Sequence, residues 1–350
     1  MQSPRRALAQ KAYRLRTVLR SLRFLWSLPP ERFEAFMGSY AIYDHDWAFP
    51  EVMRAAFGPD YVREVSRRLA DYYGVLNHLC ALGEIEKMYI PPALDLSKSI
   101  GENQLLFEQR MFRDLRVGPG SRVLDIGCGR GRIAAHLATV TGAHVTGLNV
   151  DPDQLGSATK HAADRGLTGL LHFRLGDLNV LPLDFPDESF DAIYHVQVFS
   201  LSRDLGTLFK ELARLLRPGG TFACLDWVVK DNYDPDDPHH ASLMRRLKPL
   251  IGAIGSPSVP QYVGAMEQAG FEVSFQEDLS IDGRQAPLIR DADRYYTAID
   301  KVVTLLHERK LLPSHIKPLF DRLSKDADAF IEADELRLAT SSWYALATCA

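Results

Sequence analysis

The run Val123-Leu124-Asp125-Ile126-Gly127-Cys128-Gly129-Arg130-Gly131 constrains the fold of this chain more than any other stretch. An apolar segment that reads as a buried strand meets glycines spaced G-x-G-x-G, and helical periodicity follows over Ile133–Val140. Glycine lets a backbone turn tightly and approach a ligand closely. The helix that follows offers unpaired N–H groups and the positive end of its dipole. The spacing differs from the G-x-G-x-x-G fingerprint of dinucleotide sites. Asp125, two residues before the first glycine, carries a carboxylate that can accept from a ligand ammonium and would repel a pyrophosphate. A nucleoside bearing an amino acid, S-adenosylmethionine, suits that combination better than NAD or ATP.

The segments around the loop agree with an α/β reading. Ser121–Ile126, Ala143–Leu148, Leu170–Leu175, Phe190–Val196 and Thr221–Val228 are predicted strands, with helices over Asp153–Arg165 and Leu205–Leu216. This alternation implies a parallel sheet with right-handed crossovers. Ligands in such sheets bind at the carboxyl ends of the strands. Asn149, after the second strand, is placed to meet ribose hydroxyls. Gly176-Asp177-Leu178 follows the third strand, where Asp177 can accept from an adenine amino group or cap a turn. Leu216-Arg217-Pro218-Gly219-Gly220-Thr221-Phe222 reads as the turn into the fifth strand. Phe271–Gln276 and Ser342–Thr348 are two further strand candidates, which brings the end of the chain into the sheet.

Composition narrows the class. Of 350 residues 46% are hydrophobic and 25% charged, and the formal charge is −4, which argues against a disordered chain, a multi-pass membrane protein or a nucleic-acid binder. The cysteines Cys80, Cys128, Cys224 and Cys349 are scattered, which favours a reducing compartment over a disulfide framework or zinc site. The N-terminus stands apart. Arg5, Arg6, Lys11, Arg14, Arg16, Arg20 and Arg23 precede the first acidic residue, Glu31, while Leu15, Val18, Leu19, Leu22, Leu25 and Trp26 recur at helical spacing. Residues 1–28 therefore read as a basic amphipathic helix: one that lies on an anionic membrane, a transit peptide, or an ordinary packed surface helix. Asp234, Asp236, Asp237, His239 and His240 invite a metal reading, but Pro235 and Pro238 make the run look like a turn and helix cap, so no metal is expected.

Val123–Gly131, Gly176-Asp177 and Leu216–Phe222 resemble the class I S-adenosylmethionine-dependent methyltransferases. Thr146-Gly147-Leu148-Asn149, Gln154, Asp226-Trp227-Val228-Val229-Lys230-Asp231-Asn232-Tyr233-Asp234 and Tyr72-Tyr73 resemble the sterol C-24 branch, over about residues 65–280. The resemblance implies a Rossmann-like seven-stranded, mostly parallel sheet with helices on both faces, an N-terminal helical cap and a C-terminal helical insertion. It divides the chain into an N-terminal helical region (1–64), a helical cap over the cofactor (65–120), a cofactor-binding core (121–230) and an acceptor-covering region that completes the sheet (231–350). It also implies a cofactor set of Tyr73, Asp125, Gly127, Cys128, Gly129, Asn149, Val150, Gln154, Gly176, Asp177, Leu178 and Gln197.

The acceptor half departs from the branch. Where sterol methyltransferases carry Glu-Ala-Thr-Cys-His-Ala-Pro, this chain has Gln197-Val198-Phe199-Ser200-Leu201-Ser202-Arg203, so the acid is Gln197 and the histidine Leu201. An amide neither stabilises a cation as a carboxylate does nor acts as a base. The branch's Tyr-Gly-Trp-Gly motif falls near Leu82-Gly83-Glu84-Ile85 and lacks its tryptophan. His195 and Asp226 are the candidate catalytic residues at the strand ends, with His78 in the cap as a further base candidate. The expected activity is methyl transfer to a lipophilic small molecule, a sterol-like lipid, isoprenoid or specialised metabolite, with carbon favoured and oxygen or nitrogen open. A cyclase or pericyclase that binds the cofactor without transferring methyl is the second reading, and a non-enzymic membrane-associated scaffold the third. The expected setting is cytoplasmic, with peripheral membrane contact through residues 1–28 left open.

Overall fold

The computed structural model describes residues 4–82 and 87–350, without the side chains of residues 4–14 and 324. The Leu82–Ile85 comparison therefore lies for the most part outside the described residues. Seven strands form one sheet: β1 (Arg122–Ile126), β2 (His144–Asn149), β3 (Leu171–Leu175), β4 (Phe190–Val196), β5 (Leu216–Val229), β6 (Phe271–Asp278) and β7 (Ala339–Cys349). Their order is β3-β2-β1-β4-β5-β7-β6. β1 to β5 pair in parallel, and β7 inserts antiparallel between β5 and β6. β1, β4 and β7, and β5 from Phe222 to Val228, are buried almost throughout, as strands covered on both faces must be.

Thirteen α-helices are described: α1 (Pro4–Trp26), α2 (Pro30–Ser39), α3 (Pro50–Phe57), α4 (Tyr61–Leu82), α5 (Ile100–Leu115), α6 (Arg132–Thr141), α7 (Pro152–Asp164), α8 (Leu205–Leu215), α9 (Pro238–Ile251), α10 (Val259–Gln268), α11 (Ala286–Glu308), α12 (Ile316–Ser324) and α13 (Ala327–Glu335). α8 and α10 cover one face of the sheet through Leu208, Phe209, Leu212 and Tyr262. α5 and α6 cover the other through Phe107, Met111, Ala134 and Leu137. α1 to α4 and α12 share a separate apolar core that contains Leu25, Phe36, Leu69 and Leu319. A boundary at residue 64 falls inside α4, which is one unbroken helix, so the expected division between the first two regions does not correspond to a break in structure. β5 begins at Leu216, earlier than expected, because Leu216 pairs with Phe190 before the Pro218-Gly219-Gly220 irregularity shifts the register.

Candidate functional site

The glycine loop is shaped from below and behind. The N–H groups of Gly127 and Cys128 both donate to the carbonyl of Leu148 at the end of β2, at 2.8 and 3.0 Å. Gly127 has φ +71, and a Cβ there would sit 2.5 Å from a methyl carbon of Val198. Gly131, φ +67, starts α6, and its missing side chain leaves room for Phe173 and Ala158. Above this loop lies an open-mouthed cavity of about 810 Å³ between the carboxyl ends of β1, β2 and β4 and the underside of α4.

Most of the expected cofactor set lines this cavity: Tyr73, Gly127, Gly129, Asn149, Val150, Gln154, Gly176, Asp177, Leu178 and Gln197. Asp177 Oδ1 accepts from Asn179 N at 2.8 Å, and its Oδ2 accepts from Ser66 Oγ of α4, which ties the cap to the sheet. Asn149 Nδ2 donates to Gln154 Oε1 at 3.3 Å, so these two amides act as one wall.

Two members of the set lie elsewhere. Asp125 is buried beneath the loop and accepts from the Tyr194 hydroxyl at 2.7 Å; burial pushes its pKa up to about 7. Cys128 packs its sulfur over Gly147, where an added Cβ would lie 2.7 Å from it, instead of facing the cavity. Conversely, sequence reasoning misses Asp151. Its Oδ1 caps α7 through Asp153 N and Gln154 N, while Oδ2 is buried at the cavity wall without a hydrogen-bond partner among the described residues. The Asp151-Pro152 pair, an N-cap followed by proline at the first helical position, is the available signal.

A second cavity of about 920 Å³ adjoins the first. Tyr73, Met88 and Gln197 line both. Tyr40, Tyr72, Tyr89 and Tyr296 give the second cavity an aromatic wall, and Arg322, whose guanidinium lies 3.8 Å from the Tyr40 ring centroid, is the charged residue among its described lining. Gln197 takes a left-handed backbone, φ +54. Its Nε2 donates to Ile90 O and Ser341 O, both at 2.7 Å, and its Oε1 accepts from Ile90 N at 3.0 Å. The amide thus pins residues 87–92 between the cavities. Glu108 holds the same segment through Lys87 and Tyr89. Leu201 lines the first cavity, and its carbonyl accepts from Asn179 Nδ2.

The expected catalytic residues are not at either cavity. His195 and Asp226 are fully buried on the face of the sheet that α10 covers. Asp226 accepts from Phe199 N, Trp227 N and the Tyr262 hydroxyl, at 3.0, 2.8 and 3.0 Å. When Asp226 is ionised the tyrosine proton is committed to it, and His195 Nε2 then donates to the Tyr262 oxygen, 2.8 Å away. The histidine ring stacks on Phe199 at 3.6 Å. This is a structural cluster that fixes the turn after β4. Proximity to a strand end told its height in the sheet, and the alternation of side chains along the strand decided its face. His78 is likewise removed from the cavities: it stacks on Phe24 of α1, and burial lowers its pKa to about 4.

Burial lifts the Asp226 pKa from 3.8 to about 7. Between those values the folded state holds a proton that the unfolded state has released, so this group's contribution makes stability fall as pH rises. Urea unfolding of wild type and Asp226→Asn at pH 5 and 8 checks this. The wild type should lose more stability over that interval than the variant; equal slopes would mean that Asp226 ionises normally.

Comparison with known proteins agrees with this geometry. Residues 124–224 match the methyltransferase domain family. The chain is 32% identical over 254 residues to a sterol 24-C-methyltransferase of Gibberella zeae, covering 67% of this chain and 66% of that one. It is 35% identical over 184 residues to a botryococcene C-methyltransferase of Botryococcus braunii, covering 53% and 47%. It thus spans slightly under two thirds of the first relative's length and about half of the second's. Among solved structures, the cyclase SpnF superposes with a TM-score of 0.63 at 20% identity, covering 81% of this chain and 96% of that one, a likeness of fold. By its domain match, its sheet order and its glycine loop, the chain resembles the class I methyltransferases, and their sterol C-24 branch in particular.

Proposed function

We propose that the protein transfers a methyl group from S-adenosylmethionine to a lipophilic small molecule, with a carbon of an isoprenoid-like chain as the favoured acceptor atom. One observation carries the proposal: a glycine-loop cavity and an aromatic cavity meet across Tyr73, Met88 and Gln197. The sterol and botryococcene relatives support the choice of acceptor class.

The first cavity fits the cofactor on two counts. Gly127 and Gly129 bring bare backbone to its wall, and Asp151 Oδ2 is a buried acceptor without a partner among the described residues. Asn149, Asp151 and Gln154 would hold ribose hydroxyls, and Asp177 the adenine amino group. The loop would approach the amino-acid portion, with Asp125 beneath it. When bound, the cofactor supplies an electrophilic methyl on a sulfonium with a neutral leaving group.

The chain's own task is to align, exclude water and stabilise charge. Tyrosine faces can stabilise a cation developing on the acceptor. No carboxylate lines the aromatic cavity among its described residues, so removal of an acceptor proton falls to another group. That same observation keeps two alternatives in view: transfer to oxygen or nitrogen, and a cyclase that holds the cofactor without spending its methyl. Titration with S-adenosylhomocysteine tests the cofactor half: saturable binding is expected, and its absence at millimolar ligand overturns the assignment.

No helix among the described residues is long and apolar enough to cross a membrane. A lipophilic acceptor nevertheless makes peripheral contact with a lipid surface useful.

A further inference from the structure

Helix α1 is turned the opposite way from an ordinary surface helix. It packs on the protein through Thr17, Ser21 and Leu25, which are 9%, 1% and 2% exposed, and Leu28 just past its end is buried as well. His78 of α4 lies beneath it, with Nδ1 3.2 Å from Ser21 Oγ. Small polar side chains thus form much of the packed face. The apolar face points outward: Leu15, Leu19, Leu22 and Trp26 are 60%, 55%, 48% and 56% exposed. These residues recur at i, i+4, i+7 and i+11, which makes one continuous stripe. Arg16, Arg20 and Arg23 are exposed along one flank of it. Residues 1–30 contain no acidic side chain, although the whole chain carries a net charge of −4.

A large apolar stripe is costly in water and marks a surface that meets something else. Its basic flank selects the partner. We propose that α1 lies in the plane of an anionic lipid membrane, with Leu15, Leu19, Leu22 and Trp26 immersed at the headgroup–acyl boundary and Arg16, Arg20 and Arg23 on lipid phosphates. α4, on which α1 rests, carries Leu69, Tyr73, Leu76 and Cys80 into the two cavities. The membrane face and the acceptor cavity are therefore opposite sides of one helical layer. The inference does not depend on the identity of the acceptor or on methyl transfer.

Tryptophan fluorescence with vesicles tests it. The chain has four tryptophans, and Trp47, Trp227 and Trp343 are buried at 7%, 2% and 3% exposure, so Trp26 is the reporter. With vesicles of phosphatidylcholine and phosphatidylglycerol at 7:3, wild-type protein should sediment with lipid and its emission should shift to the blue. Trp26→Phe should still sediment, without the shift. Leu15→Ser/Leu19→Ser/Leu22→Ser should lower partitioning about 10-fold or more. Arg16→Gln/Arg20→Gln/Arg23→Gln should lower it about 100-fold on anionic vesicles and much less on neutral ones. These positions are exposed, so thermal melting should be unchanged and confirm folding. Three results overturn the proposal: no binding by the wild type, equal binding by the triple leucine variant, or a wild-type dimer that the leucine substitutions convert to monomer without any effect on lipid. The last would assign the stripe to a second copy of the chain.

Discussion

Gly127→Ala should weaken binding of S-adenosylhomocysteine about 100-fold or more while leaving a folded protein. An alanine at φ +71 costs about 1–2 kcal/mol in backbone strain. Its Cβ would also lie 2.5 and 2.8 Å from the two Val198 methyl carbons, so the loop or the turn after β4 must move. Either movement disturbs the cavity, since Gly127 and Val198 both line it. A loss of affinity of about 100-fold or more follows if the strain and displacement together reach about 3 kcal/mol. Gly129→Ala provides a graded control: its φ is +53, and the nearest obstruction is the Gln154 amide oxygen at 3.1 Å, the far end of a flexible side chain. It should bind more weakly than wild type and more tightly than Gly127→Ala. Adding Val198→Ala to Gly127→Ala should recover part of the loss. Unchanged affinity in Gly127→Ala would remove the loop from the binding site.

Gln197→Glu should restore the charge found at this position in the sterol branch and damage this protein. The native amide gives both of its N–H groups to carbonyls, Ile90 O and Ser341 O. A carboxylate can only accept, so it would set negative charge against two carbonyl oxygens. Two lost hydrogen bonds and two unsatisfied acceptors suggest a cost of about 2–4 kcal/mol, moderated because the side chain is half-buried and reaches the cavity. The expected result is a melting temperature lower by about 3–5 °C. The deficit should shrink in acid, because the introduced carboxyl, once protonated, regains one O–H donor. A variant as stable as wild type at pH 8 would show that residues 87–92 are not held by this amide. Gln197 thus holds the Ile90 segment and Ser341 together where the two cavities meet.

Much of this fold is legible without coordinates. β4 forms at Phe190–Val196, where the sequence places it, because its ends are marked by the Asp187–Ser189 turn and by the bend at Gln197. Gly127 and Gly129 stand out because a strand–glycine–helix junction brings free N–H groups and the positive end of a helix to the carboxyl edge of a sheet. Facing is harder. His195 and Asp226 stand near the right ends of β4 and β5 but point toward α10, and only the packed sheet reveals which face a strand residue takes. Periodicity in α1 announces an apolar stripe, yet says nothing of whether it meets protein or solvent. The tertiary roles of Asp151 and Gln197 are hidden because their partners, the cavity and Ile90 and Ser341, are distant in sequence or are not residues at all. The aromatic cavity is equally illegible, since Tyr40, Tyr89, Tyr296 and Arg322 come from four separate stretches.

In the proposed reaction the two adjoining cavities pass a methyl group from one bound molecule to another. Incubation with methyl-labelled S-adenosylmethionine and a lipid extract, followed by mass spectrometry, tests it most directly. A labelled lipophilic product together with S-adenosylhomocysteine is expected, both falling sharply in Gly127→Ala. Consumption of an extract component with no label in any product and no S-adenosylhomocysteine would contradict it.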